Sequence, residues 1–168
     1  MTLAELKPAG VHLVVVPFSE RRSLLRRWAS GVERYTAVDF DGSLYPLLPP
    51  ASLKGCRLLL EGGSLLSALK DVYSLQRGDD PIIINSLGTL QAMARASGGE
   101  KDWGRRFFKY VVYMAVACRA RASSSLFVLN SVREGGIRGM LEAGWVKLCS
   151  GAFDGTWILS GEGLSRVF

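Results

Sequence analysis

Two kinds of apolar pattern alternate along the chain. Short runs of consecutive apolar residues predict strands buried on both faces. Longer stretches with apolar residues three and four apart predict helices with one inward stripe. Val11 to Pro17 (VHLVVVP) is of the first kind. Ser23 to Val32 is of the second, with Leu24, Leu25, Trp28 and Val32 on one face. Tyr35 to Phe40 and Arg57 to Leu60 predict two further strands, separated by Asp41-Gly42 and the prolines Pro46, Pro49 and Pro50. A helix follows over Ser64 to Gln76, then a β-branched strand over Pro81 to Asn85.

In the second half, Leu87 to Ala96 predicts a short helix ended by Ser97-Gly98-Gly99. Asp102 to Ala122 predicts the longest helix, with Phe107, Tyr110, Val111, Met114 and Cys118 inward. Leu126 to Leu129 is a fifth buried strand, and Gly135, Gly136 and Gly139 mark a loop. Trp145 to Cys149 and Thr156 to Ser160 flank Phe153-Asp154-Gly155, which predicts a hairpin across an Asp-Gly turn. Strands and helices in this order predict an α/β fold, mainly parallel, with a C-terminal antiparallel hairpin. With no repeat and no low-complexity linker, all 168 residues are expected to form one domain.

Composition narrows the function classes. Apolar residues make up 48% and charged residues 21%, which suits a packed core rather than disorder. No apolar run reaches the roughly 18 residues of a membrane span, and the N-terminus has no signal-peptide pattern, so a cytoplasmic location is expected. Cys56, Cys118 and Cys149 are odd in number and lack metal spacing, which excludes a disulfide framework and a zinc site. The net charge of +6 favours nucleic acid or an acidic partner. Arginine supplies 15 of the 21 basic residues, and there are only two Asn and two Gln, a balance that suits a thermophile.

The order of elements resembles the core of the RecA/RadA recombinase family over nearly the whole chain, carried by four segments. Tyr35–Pro46 (YTAVDFDGSLYP) is similar to the strand and turn where archaeal-type members carry Ile-Asp-Thr-Glu-Gly-Thr-Phe-Arg-Pro. Ile82–Leu90 (IIINSLGTL) looks like the Walker B strand with its Ser-Leu-x-x-Leu continuation. Trp103–Cys118 looks like the helix after the first DNA-binding loop, and Leu126–Gly136 (LFVLNSVREGG) like the strand leading into the second. The resemblance implies a RecA-like (P-loop NTPase) core, an archaeal source, and a role in DNA repair or homologous recombination.

The departures decide the chemistry. The family's phosphate loop, Gly-x-x-x-x-Gly-Lys-Ser/Thr, wraps phosphates in backbone N–H groups and supplies a Lys and a hydroxyl. Here that place reads Pro17-Phe18-Ser19-Glu20-Arg21-Arg22-Ser23, without glycine or Lys-Ser/Thr. Asn85 stands where the metal-supporting Walker B carboxylate is expected, and Asp41 where the resemblance places the catalytic glutamate. No ATP hydrolysis, cofactor or metal is therefore expected. The family's N-terminal domain and oligomerisation segment are also expected to be absent.

Two groups of cations are the binding candidates. Arg21, Arg22, Arg26 and Arg27 flank the first helix and suit an anion or acidic partner, or equally a solvated face. Arg95, Lys101, Arg105 and Arg106, with Arg133 and Arg138 beside the glycines, fall in the segments the resemblance assigns to DNA contact. Trp103, Trp145 and Trp157 suit base stacking or, more commonly, core packing. The lone His12 argues for a structural role, and no serine has a Gly-x-Ser-x-Gly context. The expected function is a non-catalytic RecA/RadA paralogue that binds DNA or a RadA-type recombinase. The alternative is an adaptor or dimerisation module without nucleic acid. A third reading keeps Asp39 and Asp41 as metal ligands of a residual enzyme.

Overall fold

The computed structural model describes residues 10–30, 35–41, 43–44, 53–58, 81–120, 124–131, 151–160 and 163–167. Side chains are described in these ranges except at 53–58, 93–94, 97–103, 131 and 160. Strands β1 (Gly10–Pro17), β2 (Tyr35–Asp39), β3 (Leu53–Leu58), β4 (Ile82–Asn85), β5 (Ser124–Ser131), β6 (Gly155–Ser160) and β7 (Gly163–Arg166) form one sheet. The helices described are α1 (Phe18–Ala29) and α2 (Leu87–Arg119).

The strand order is β3-β2-β4-β5-β1-β6-β7. Strands β1 to β6 run parallel, and only β7 is antiparallel, against β6. The α/β expectation therefore holds, with its antiparallel end. Alternate residues of β1 explain the layering. Val11, Leu13 and Val15 pack with Phe107, Val111 and Met114 of α2. Val14 and Val16 pack with Leu24, Leu25 and Trp28 of α1. The two helices thus cover opposite faces, and a strand buried on both sides is apolar along nearly all its length, as β1 is apart from His12.

Four expectations need correction. The first helix begins at Phe18, directly after the last residue of β1, rather than at Ser23. Pro17 is extended (φ −57°, ψ 143°) and ends the strand, and no glycine follows to hold a loop open. The third strand lies at Leu53–Leu58, upstream of the expected Arg57–Leu60. The predicted break at Ser97-Gly98-Gly99 does not occur, because α2 is continuous from Leu87 to Arg119. Each glycine costs a helix about 1 kcal/mol relative to alanine. Leu87 and Leu90 before it, and Phe107 to Cys118 after it, are anchored in one core, and that outweighs the cost. The predicted helix over Ser64–Gln76 and the glycine loop at 135–139 lie outside the described residues.

The hairpin is also one strand later than expected. Trp145–Cys149 lies outside the described residues, and β6 has β1 on one edge and β7 on the other. Asp154-Gly155 instead fastens the start of β6 to the start of β1. The Asp154 backbone N–H donates to Val11 O at 2.8 Å. Its Oδ2 accepts the Val11 N–H at 2.7 Å, and its Oδ1 pairs with Arg119 at 3.0 Å. The Val11 N–H first, and Arg119 with it, hold the Asp154 carboxyl below the ordinary aspartate range despite some desolvation. Gly10 is required here: its φ is +136°, and a Cβ would stand 2.7 Å from Asp154 Oδ2.

Candidate functional site

Parallel strands place their carboxyl ends along one edge, where open α/β sheets bind ligands. At that edge β1 ends at Pro17, β2 at Asp39 and β4 at Asn85. Asp39 and Asn85 are partners in the β2–β4 register, so their side chains leave the sheet on the same face. That is the face covered by α1, because the neighbouring pair Ala37 and Ile83 packs in the α1 core.

A polar network fills this position. Asp39 is fully buried and accepts from the Leu44 N–H at 2.8 Å and from Asn85 Nδ2 at 2.8 Å. Asp41 Oδ1 accepts the Ser43 N–H at 3.0 Å and the Ser43 hydroxyl, closing an Asx turn. Asn85 Nδ2 also reaches Ser43 Oγ at 3.1 Å and lies 3.5 Å from Asp41 Oδ1. Asp41 Oδ2 accepts the Ser86 hydroxyl at 2.5 Å and pairs with Arg21 Nη1 at 3.6 Å. Arg21 Nη1 donates to Ser86 Oγ at 3.3 Å.

Arg21, Asn85 and Ser86 are all buried, while the Asp41 side chain is 28% exposed. Water therefore reaches the network at Asp41. Ser86 sits at the junction of β4 and α2 in the left-handed region (φ 63°, ψ 51°), and it is the only non-glycine there among the described residues. That conformation costs roughly 1–2 kcal/mol. It turns the Ser86 hydroxyl back toward Asp41 and Arg21.

The two carboxylates are pushed apart in proton affinity. Burial raises the Asp39 carboxyl above its ordinary range, against the donors Asn85 and Leu44 N–H, and the nearby Asp41 adds to the rise. Burial acts on Asp41 too, but the donors Ser43 and Ser86 outweigh it and hold that carboxyl low. In such a pair Asp41 keeps the charge that faces Arg21, and Asp39 is the member that takes a proton first.

Asn85 makes sense in this network. A carboxylate at its position would stand beside Asp39 and Asp41 with no proton to share, whereas the amide donates to both. Its Oδ1 has no hydrogen-bond partner among the described residues. Among the described residues, no group of three or more His, Cys, Asp or Glu is placed to hold a metal.

The other sequence candidates fall in different places. Arg21 points inward onto Asp41, with its guanidinium 5.2 Å from the Phe18 ring centroid. Arg22, Arg26 and Arg27 are exposed on α1. Arg95, Arg105 and Arg106 are exposed on α2, on a helix rather than a loop and across the sheet from α1. Lys101 and Trp103 have helical backbone in α2, and their side chains are not described. Arg133, Arg138 and Trp145 lie outside the described residues. Trp157 is buried, and its indole N–H points to His12 Nδ1 at 3.5 Å, so both serve the core. Ser43, Ser86 and the exposed Phe18 stand in no motif that marks them as site residues. The polar pair Asn85-Ser86 closing an apolar strand was the available signal for Ser86.

No described helix is long and apolar enough to cross a membrane. No protein-family model matches the chain, and no curated protein matches it in sequence. Solved structures do match. A protein of Pyrococcus horikoshii OT3 aligns with 10% identity and a TM-score of 0.62, covering 99% of this chain and 91% of that one. An ATPase of the type III secretion system of pathogenic bacteria aligns with 11% identity and a TM-score of 0.57, over 96% of this chain. This chain spans only 55% of that ATPase's length. At these identities the likeness extends to the fold alone, an α/β fold that this ATPase shares.

Proposed function

We propose that this protein is a non-catalytic member of the ATPase fold that binds nucleic acid as an accessory factor in DNA transactions, in the manner of a RecA/RadA paralogue. One observation carries the non-catalytic part. Strand β1 passes into α1 with no residue between them, and the side chain that follows, Arg21, is held by Asp41 and Ser86. A phosphate loop needs residues between strand and helix whose backbone N–H groups wrap the phosphates, and none stands between Pro17 and Phe18. The anion-binding end of the fold has become an internal ion pair with two carboxylates, a poor place for a nucleotide. The four segments that resemble recombinases, the +6 charge and the exposed arginines of α1 and α2 support the nucleic-acid part. The same segments support a RadA-type recombinase as a protein partner.

Thermal unfolding and phosphate release with Mg-ATP, together with filter binding to single- and double-stranded DNA over a salt series, test both parts. A ligand bound at 100 times its Kd stabilises the native state by about 2.7 kcal/mol. Millimolar Mg-ATP is expected to leave Tm unchanged, and release of inorganic phosphate from it would overturn the non-catalytic reading. DNA affinity is expected to fall steeply with salt. Binding that ignores salt, or is absent at low salt, would remove the nucleic-acid reading. The adaptor reading would then stand, favoured by Phe18, which is 66% exposed at the ligand edge of the sheet.

A further inference from the structure

Helix α2 presents an outward face of which the resemblance assigns only Arg105 and Arg106 to DNA contact. At 100° per residue, Arg105, Lys109, Tyr113 and Val116 fall within an arc of about 80°, with Arg106 at its edge. All five are exposed, Tyr113 by 47% and Val116 by 51%. The opposite arc, with Phe107, Val111, Met114 and Cys118, is buried in the core, so this orientation is fixed. At 1.5 Å per residue the face runs roughly 16 Å along the helix.

Its charge is one-sided. Between Asp102 and Glu134 the chain has six basic residues, Arg105, Arg106, Lys109, Arg119, Arg121 and Arg133, and no acidic one. Arg119 is paired with Asp154. Arg105, Arg106 and Lys109 make no ion pair with a described residue.

We infer that this face of α2 is a binding surface for single-stranded nucleic acid. The proposal rests on the nucleic-acid reading above. Arg105 and Arg106, with Lys109 about one turn on, complement consecutive phosphates. Tyr113, one turn beyond Lys109, offers an exposed aromatic plane on which an unpaired base stacks. Charge complementarity alone would also suit a duplex or an acidic polypeptide. The aromatic favours the single strand, because bases in a duplex are already stacked on one another.

The test is fluorescence anisotropy of the full chain with labelled oligothymidylate, a duplex of equal length, and polyglutamate as competitor. Circular dichroism confirms that each variant is folded. Arg105→Gln/Arg106→Gln/Lys109→Gln is expected to reduce the slope of log K against log salt by about 2, at roughly 0.7 per phosphate contact. Tyr113→Ala is expected to weaken single-strand binding by roughly 5- to 100-fold, and Tyr113→Phe to restore it. Arg22→Gln/Arg26→Gln, on the opposite face of the sheet, is the comparison variant, and it is expected to lower the slope by less per cation removed than the α2 variant does.

Three results overturn the inference while leaving nucleic-acid binding in place: an unchanged slope in the α2 variant, an effect confined to the α1 variant, or no response to Tyr113→Ala. Equal affinity for duplex, or displacement by polyglutamate at matched charge, also overturns it. Wild-type protein that binds no nucleic acid at all sinks the underlying proposal instead.

Discussion

Arg21→Met is the substitution that most directly probes the altered ligand edge. The Arg21 side chain is 5% exposed and faces Asp41 at 3.6 Å and Ser86 Oγ at 3.3 Å. Methionine keeps much of the stem's bulk but removes the charge and both contacts. Taking one ion from a buried pair costs about 3–5 kcal/mol, because the other charge is left uncompensated. Asp41 is 28% exposed, so water takes over part of that charge. The expected loss is therefore nearer to about 2 kcal/mol. For a protein of this size that corresponds to a fall in Tm of roughly 4–8 °C.

Arg21→Met/Asp41→Asn separates the ion pair from simple packing. Asparagine still has a carbonyl to accept from Ser43 or Ser86, and it carries no charge to strand. The double variant should recover about half of the lost stability, so the coupling in a double-mutant cycle, that recovery plus the cost of Asp41→Asn alone, should exceed roughly 1 kcal/mol. Urea unfolding at pH 7 reads both quantities. A single variant within about 0.5 kcal/mol of wild type, the range of ordinary surface substitutions, would refute the reasoning. The Arg21 guanidinium would then be free in solution to meet a ligand, and the case against nucleotide binding would weaken with it.

Two further predictions concern the same network. Ser86→Gly and Ser86→Ala both lose the hydroxyl that bonds Asp41, but only glycine relieves the left-handed backbone. Ser86→Gly should therefore be the more stable of the two by about 1 kcal/mol in urea unfolding, and the reverse order would mean that the backbone is not strained there. The second prediction follows from the low proton affinity of Asp41. A depressed carboxyl stabilises the fold above its unfolded pKa, near the ordinary 3.8, and that contribution is lost as pH falls through the folded value. The stability gap between wild type and Asp41→Asn should be widest near neutral pH and close below about pH 3.8. A gap that widens in acid would contradict the assignment, and would instead suit a group with raised affinity such as Asp39.

The layers of the fold were legible because buried parallel strands are apolar along nearly all their length, as at Leu13 to Val16 and Ile82 to Ile84. The strand order was not contained in periodicity, which fixes what is buried but not which strands are neighbours. Boundaries failed where local signals were overruled from a distance. Gly98-Gly99 reads as a break until the core contacts on both sides of it are known. Asp154-Gly155 reads as a turn, because the partner that uses the Asp154 carboxylate, Val11, lies 143 positions away. The site was legible as a loss and not as a replacement. The missing glycines and Asn85 can be read directly, but Arg21 looked like one more exposed helix arginine. Its inward direction depends on where α1 begins, and moving that start from Ser23 to Phe18 puts Arg21 in the first turn, beside the ends of β2 and β4.

That shift also explains why the changes at the three strand ends belong together. With α1 starting at Phe18, a guanidinium occupies the edge and needs an anion, which Asp41 supplies. Asp39 lies close enough for the two carboxylates to influence each other, so a third acid at position 85 would leave more negative charge than one arginine balances. An amide there donates to Asp39 and reaches Asp41, which removes that repulsion. Ser86 accepts backbone strain to complete the link between Asp41 and Arg21. Each residue is odd for an ATPase when taken alone. Together they form a closed, nearly charge-balanced network, and such a network holds the carboxyl ends of β2 and β4 against α1 without a nucleotide. The chain itself supplies the charges that hold these strand ends together.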